Sequence, residues 1–308
     1  MEGSPREPPA VIARVHEASL DAEPGRCRVR GMSRTESHLG QLIRHWRVRR
    51  QLSQLDLAGE AGVSTRHVSF IETGRTQPSR EMVLQLARAL DVPLRDRNDL
   101  LTAAGFAPIY RTTDLDAPAL TLARRALDFI LKGQEPYPAL VLDRHWNVLK
   151  VNDGSACVQA FFLDAKKVAE LGPPNAMRLM FHPAGFRPYI VNWEPTAASL
   201  VQWLHRDVAS GFGGAETRQL LNELLTYPDV PRHWRTLDLD ASTAPFLPIE
   251  FSKDGLSLRY FTTLTTLGTP HDITLQELRV ESFFPADEAT EAASRRLALE
   301  GARAAGAT

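Results

Sequence analysis

The stretch from Leu52 to Ser79 reads LSQLDLAGEAGVSTRHVSFIETGRTQPS, and its cap and turn residues predict two short helices joined by a turn. The hydroxyl of Ser53 can accept an N–H group that the first turn of a helix leaves unpaired. Gly62 supplies the break, Ser64 can cap the second helix, and a glycine and a proline close it. The pattern is typical of a helix-turn-helix, with helices predicted over 54–61 and 65–73.

The second helix has one apolar side. At 100° per residue, Val68 and Ile71 fall together, and we expect them to dock on the first helix. The opposite side and the helix N-terminus can then enter a DNA groove, which is the geometry of a recognition helix. The predicted contacts within the motif join Val63, Val68 and Ile71 to Leu55, Leu57 and Ala58. The predicted outward residues are Arg66, Ser69, Phe70 and Thr73.

The run from Leu39 to Val92 resembles the XRE-type, phage-repressor-like DNA-binding domain, and STRHVSFIETGRTQPSREM resembles its MmyB-like regulator subfamily. The resemblance implies that Gln54 lies against a phosphate and that Thr65, Arg66 and Phe70 lie where base edges are read. An aromatic residue at Phe70 departs from the polar reader of many phage repressors. It can contact a thymine methyl or simply pack.

Arginines dominate the first predicted helix, over 39–51. The resemblance implies that Arg47 pairs with Glu72 and braces this helix against the recognition helix, although Arg47 can also reach a phosphate. Other arginines are candidates for contacts with the DNA backbone, which position a protein without reading sequence. They are Arg44, Arg49, Arg50 and Arg75. Helices over 81–90 and 94–104 complete the predicted all-α five-helix domain.

Charge is divided unevenly along the chain, whose net charge is −1. Residues 32–80 hold eight Arg and no Lys against four acidic residues, a balance of +4, which leaves −5 for the remainder. A basic module on an acidic body is typical of a DNA-binding protein with a separate regulatory domain. Chance variation in charge is the alternative explanation of this feature.

Composition excludes several other classes of protein. The chain has 308 residues, is 43% hydrophobic and holds only two cysteines, Cys27 and Cys157, in no metal-binding or disulfide pattern. No apolar run reaches the roughly 18 residues that a membrane span needs. We therefore expect a cytoplasmic protein with no membrane association and no metal.

The C-terminal half changes from helical to alternating patterns. Strands are predicted over 139–142 and 146–151, followed by a helix over 153–162, a helical section over 175–227, and strands over 244–251, 256–265 and 275–284. A sheet with helices on one face is the expected result. Strand, turn, strand, Asn and helix resemble the opening of a PAS domain, and RPYIVNW (187–193) and the segment 261–290 resemble the MmyB-like ligand-binding domain.

This second resemblance implies an α+β, PAS-like domain with an antiparallel sheet and an apolar cavity for a fatty-acid-like or other small apolar effector. No cofactor is expected beyond such a bound ligand. Size and predicted facing select the candidate walls, and two arginines could bind a carboxylate on the ligand. The wall candidates are Trp146, Met180, Phe181, Trp193 and Phe261, and the arginines are Arg178 and Arg187.

The predicted domains are a disordered N-terminal extension (1–37), the helix-turn-helix domain (38–108), a linker with a helix over 118–132 (109–135), the PAS-like domain (136–290), and a helical or disordered tail (291–308). The linker helix would connect the domains or pair two protomers. A homodimer on a double-stranded DNA operator is expected, because one short recognition helix covers few base pairs.

The sequence is compatible with two alternatives to a ligand sensor. One is a constitutive repressor whose C-terminal domain only dimerises. The other is an enzyme fused to a DNA-binding module, for which the sequence offers no nucleophile elbow, no P-loop and no paired metal-binding histidines. No catalytic residue is predicted.

Overall fold

The computed structural model describes residues 37–210, 214–236, 248–268 and 270–306. The predicted extension over 1–37 lies outside this part of the chain, apart from Ser37. Five helices begin the described chain, which confirms the predicted all-α domain, and their ends lie within two residues of the predicted ones. They are α1 (His38–Arg49), α2 (Gln54–Glu60), α3 (Thr65–Glu72), α4 (Arg80–Ala89) and α5 (Leu94–Ala103).

Serine caps fix where the helices of this domain begin, and close packing holds the helices together. Ser53 accepts from the backbone of Asp56, whose side chain accepts in return, which completes a capping box at α2. Gly40 allows α1 to approach α3 closely, since a Cβ there would collide with the backbone carbonyl of Glu72. Leu57 and Ala58 are buried as predicted, but Leu55 is 69% exposed, so the prediction that it docks in the core is wrong. It lies on the outer side of the short helix α2.

A helical linker and a hairpin follow. A 3-10 turn (Pro118–Leu120) leads into α6 (Thr121–Gly133), then β1 (Ala139–Leu142), β2 (Val148–Val151) and α7 (Asp153–Phe162). The second strand begins two residues later than predicted. The Asp143 carboxylate accepts from the backbone N–H groups of His145 and Asn147, and Trp146 has a φ of 67°, so the turn extends through Asn147.

The predicted helical section contains several separate helices. Within residues 175–227 these are α9 (Ala176–Phe181), α10 (Trp193–Ser210) and α11 (Gly214–Leu224), with a 3-10 turn at Arg187–Tyr189. A short helix, α8 (Ala165–Ala169), precedes this section, and a 3-10 turn at Arg232–Arg235 follows it.

Three further strands complete an antiparallel sheet: β3 (Ile249–Lys253), β4 (Leu256–Thr266) and β5 (Arg279–Pro285). The strand order is β2-β1-β5-β4-β3, a PAS-like arrangement that confirms the predicted α+β class. Residues 244–247 of the predicted third strand lie outside the described residues. The predicted strand over 275–284 is wrong at its start, because Asp272 caps a short helix, α12 (Ile273–Glu277), before β5 begins.

Both faces of the sheet are covered at β1. Leu140 and Leu142 face the main core, which α7, α9, α10 and α11 cover, whereas Ala139 and Val141 pack with Leu127 of α6 on the opposite face. The prediction of helices on one face is therefore wrong, because α6 closes the second face over β1 and β5.

The C-terminal segment belongs to the domain core. Helix α13 (Glu288–Gly306) packs on β4 and α7, and the hydroxyl of Ser294 lies 2.6 Å from that of Tyr260. Ala293 and Leu297 are buried in the main core. The predicted boundary at residue 290 falls inside this helix. In the described part of the chain, no helix is long and apolar enough to cross a membrane.

Candidate functional site

Helix α3 presents two contrasting sides. Val68 and Ile71 are buried, whereas Arg66 is exposed. The guanidinium carbons of Arg66 and Arg75 lie 5.1 and 5.4 Å from the ring centroid of Phe70, within range of cation–π attraction. The half-buried ring of Phe70 therefore packs against two cations.

A buried carboxylate braces the helix-turn-helix. Arg47 donates from Nε and Nη2 to the two oxygens of Glu72 at 2.6 and 2.9 Å, and from Nη1 to the carbonyl of Leu52 at 3.0 Å. The predicted Arg47–Glu72 pair is confirmed, and its hydrogen bond raises the pKa of Arg47 against the opposing effect of burial. Gln54 Nε2 also donates to Glu72, at 2.8 Å, so this amide supports the motif from within.

The other predicted DNA-contacting residues lie around this motif. Thr65 and Ser69 are half-buried, and Arg44, Thr73 and Arg75 are exposed. The hydroxyl of Thr73 donates to the carbonyl of Ser69 at 2.7 Å, so its proton is used within the helix. Contacts of these residues, and of Gln54, with DNA stay predictions.

An apolar cavity opens between the inner face of the sheet and the helices. Its volume is about 560 Å³, counting the part open to solvent. An adjoining cavity of about 410 Å³ shares Leu140, Gln159, Met180, Phe186 and Phe283 with it. The larger cavity is lined by Leu140, Trp146, Val148, Gln159, Ala176, Met177, Leu179, Met180, Phe186, Leu200, Ile249, Glu281 and Phe283.

The predicted effector-binding residues are divided between the cavity and other places. Trp146 and Met180 line it. Phe181 and Trp193 pack on each other in the main core, with ring centroids 5.0 Å apart. Phe261 is paired with Phe284, and their ring centroids lie 5.4 Å apart. Because neighbouring residues of a strand face opposite sides, this pair lies on the face of the sheet opposite Phe283 and the cavity.

The two arginines proposed for a ligand carboxylate have protein partners. Arg178 donates from Nε and Nη2 to the carboxylate of Glu223 at 2.8 and 2.9 Å. Arg187 donates to Asp229 at 3.1 Å, and its guanidinium lies 4.2 Å from the ring centroid of Trp193. Neither arginine is among the described residues that line the cavity.

Glu281 of β5 is the one ionisable side chain among the described lining residues, and it was not among the residues predicted from the sequence. Its residue is 9% exposed, and burial raises its pKa to about 7, while a hydrogen bond with Thr262 acts in the opposite direction. The alternation of β5 is the signal that could have found it, since Glu281 shares a face with Phe283. The indole Nε1 of Trp146, another lining residue, is buried with no hydrogen-bond partner among the described residues.

A second carboxylate, Glu277 of α12, joins the two halves of the structure. Arg95 of α5 donates to its two oxygens at 2.8 and 2.9 Å, and Arg144 donates at 2.6 Å. The Leu94 backbone N–H also donates to the Gln276 side chain at 2.7 Å. Burial acts to raise the pKa of Glu277, but the two arginines together lower it.

The cavity wall lies close to this junction. Arg144 precedes Trp146 by two residues, and the guanidinium of Arg279 lies 4.8 Å from the Trp146 ring centroid. Arg279 also donates to Asp207 of α10 at 2.8 Å. The cavity wall at Trp146 therefore lies two residues along the chain from Arg144, which shares the carboxylate of Glu277 with Arg95 of α5.

A helix-turn-helix braced by a buried ion pair, together with a PAS-like domain enclosing an apolar cavity, defines a DNA-binding protein with a ligand-binding domain. Residues 38–100 match the helix-turn-helix domain family, and residues 123–297 match the MmyB-like transcription regulator ligand binding domain. The second match covers more than half of the chain, so the chain belongs to the MmyB-like transcription regulators, which confirms the resemblance noted in the sequence.

Among curated proteins, none matches the sequence. A solved structure of an RNA-binding light-oxygen-voltage receptor matches 87% of this chain at 13% identity, with a TM-score of 0.26. The chain covers 64% of the length of that receptor chain.

Proposed function

We propose that the protein is a cytoplasmic, homodimeric transcription regulator whose affinity for a DNA operator depends on an apolar molecule in the cavity. The observation that carries the proposal is the cavity itself, whose wall residue Trp146 contacts Arg279 and lies two residues from Arg144 at the domain junction. A ligand can change DNA affinity only if it favours one arrangement of the DNA-binding domains. The short distance along the chain between Trp146 and Arg144, which pairs with Glu277, offers a physical route for that preference.

Arg66 is the proposed reader of a base. It projects from the first turn of α3, beside Phe70, and a guanidinium there can bind a guanine edge in two places, which is worth about 1 to 3 kcal/mol of discrimination. Arg66→Ala should relax the preference at one base of each half-site in a binding-site selection. Arg296→Ala, an exposed arginine on α13, is the matched control. Uniform weakening across all sequences would instead assign Arg66 to a phosphate.

The proposed dimer would place two copies of α3 on an inverted repeat, with half-site centres about one helical turn apart. Helix α6 supports this proposal, because it exposes Leu122 by 79% and Phe129 by 63%. Burial of these side chains against a second copy would remove apolar surface from water. Footprinting should show two related half-sites, and a monomer on a single half-site would contradict the dimer.

The proposal that a ligand controls DNA affinity is tested by removing the bound molecule from the purified protein. Protein purified from cells should release a small apolar molecule in native mass spectrometry. The stripped and loaded forms should differ in operator affinity by about 5 to 150-fold at one salt concentration. The competing function, a constitutive repressor with a domain that only dimerises, predicts equal affinity for both forms.

The cavity lining supports one part of the hypothesis of a fatty-acid-like effector, namely that the ligand has an apolar chain. Eleven of the thirteen described lining residues are hydrophobic, and the adjoining cavity offers further length. Such walls suit a ligand with an apolar chain. The head group depends on different residues.

A further inference from the structure

We propose that the cavity selects an apolar-chain molecule whose head group donates a hydrogen bond, namely an alcohol or a protonated amine, and disfavours a carboxylate. This inference rests on the proposed function and names the chemical class of ligand for the same cavity. The recognising group is the carboxyl of Glu281.

Glu281 is an unusual member of an otherwise apolar wall. It pairs in register with Leu140 on one neighbouring strand and with Leu264 on the other. Its partner is the hydroxyl of Thr262, a hydrogen bond that lowers its pKa. Apart from Gln159 and the indole of Trp146, the remaining described lining residues offer only apolar side chains. A carboxyl in such a wall loses hydration that a ligand head group can replace.

Among the described lining residues, a ligand carboxylate would find no cationic side chain. Arg178 and Arg187 are held by Glu223 and Asp229, and Arg279, earlier on β5, is held by Asp207. None of the three lines the cavity. An anionic head group beside Glu281 would therefore meet a second carboxyl group, and the two could not both ionise without repulsion.

A donor head group avoids this conflict. A hydroxyl can donate to Glu281 whether the carboxyl is ionised or protonated, because a carboxyl oxygen accepts in both states. An ammonium adds a charge-assisted hydrogen bond to the ionised form. Burial raises the pKa of Glu281 to about 7, which accords with a wall in which the described residues offer this carboxyl no cation.

The experiment uses the full chain, stripped of bound lipid, and three probes with one chain length: dodecanol, dodecylamine and dodecanoate. Dissociation constants are measured by calorimetry at about pH 8, where a free fatty acid is ionised. The alcohol and the amine should each bind at least about tenfold more tightly than the carboxylate, as expected for one lost hydrogen bond to a charged group. This ranking on the wild-type protein tests the proposal without any variant.

Glu281→Gln then assigns the preference to one residue. The variant keeps the shape of the side chain and removes its charge, so the difference between amine and carboxylate should fall to less than about threefold. Glu170→Gln, which removes an exposed carboxylate on the same domain, should keep the wild-type ranking.

The outcomes separate this inference from the function on which it rests. Equal or tighter binding of dodecanoate by the wild-type protein, or a preference that survives Glu281→Gln, would overturn the head-group proposal and leave an apolar sensor intact. Failure of all three probes to bind would overturn the ligand-binding function together with the head-group proposal.

Discussion

Glu277 and Glu281 lie four residues apart, and both are 9% exposed, yet they occupy opposite electrostatic surroundings. Glu277 ends α12 at the domain junction, between Arg95 and Arg144, and its pKa is lowered. Glu281 faces the cavity, where burial raises its pKa to about 7. A buried carboxylate that two arginines hold has its charge compensated within the protein. The carboxyl of Glu281 lies in an apolar wall, where its described partner is the hydroxyl of Thr262 and not a cation.

The two carboxylates impose opposite pH dependences on folding. A lowered pKa means that Glu277 contributes stability above its usual value of 4.5, and this contribution is lost as the pH falls. A raised pKa means that the contribution of Glu281 is fully present below 4.5 and is lost as the pH rises to about 7.

The largest expected effect is that of Glu277→Ala. Removal of the carboxylate leaves Arg144, whose side chain is 11% exposed, without this partner, and breaking a buried pair in this way costs about 3 to 5 kcal/mol. The midpoint of urea unfolding should fall sharply at neutral pH. Glu291→Ala, which removes an exposed partner of Arg295 on α13, is the control and should leave the midpoint nearly unchanged. Similar midpoints for both variants would show that the junction contributes little.

A second effect concerns the pH profile of Glu281→Gln. Glutamine cannot ionise, so the variant should lose the decline in stability between about pH 4.5 and 7 and become more stable than the wild type above it. A pKa change from 4.5 to about 7 sets an upper limit of about 3 kcal/mol on this difference. Urea unfolding at several pH values measures it. Parallel profiles for the two proteins would show that Glu281 titrates normally.

A smaller change is expected for Arg95→Ala. The Arg95 side chain is 41% exposed, and Arg144 still compensates Glu277, so the free energy of unfolding should fall by only about 1 kcal/mol or less. The difference in operator affinity between stripped and loaded protein should shrink, because α5 loses its ion pair with α12. Unchanged coupling in this variant would place the route between the domains elsewhere.

The smallest effect is that of Thr262→Val. Its hydroxyl lowers the pKa of Glu281, so its removal should raise that pKa further and shift the decline in stability to higher pH. The titration of Glu281 can be followed by NMR of labelled carboxyl carbons. A downward shift would show that the hydroxyl of Thr262 does not stabilise the ionised carboxylate of Glu281.

Elements of the fold that depend on interactions between residues close in sequence could be predicted, and those that depend on distant residues could not. Ser53, Ser64 and the turn glycine Gly62 act within a few residues of each other, so the helix-turn-helix could be read from the sequence. The segment beginning at Leu275 could not, because its alternation continues that of β5. Its helix depends on the Asp272 cap, and Asp272 is itself held by Thr113 far away in the chain.

The sequence by itself determined the five helices and most of the strands, since caps, glycines and alternating patterns are local signals. The Arg47–Glu72 brace and the antiparallel sheet followed from the resemblance to a known family. Tertiary structure alone decided which large side chains surround the cavity. Strand pairing places Phe261 on the face of the sheet opposite the cavity. Arg178 and Arg187 form ion pairs with carboxylates of the protein, and the register of β5 places Glu281 in the cavity wall. The physical reason is that a side chain's face and partners depend on segments distant in sequence, which no local pattern specifies.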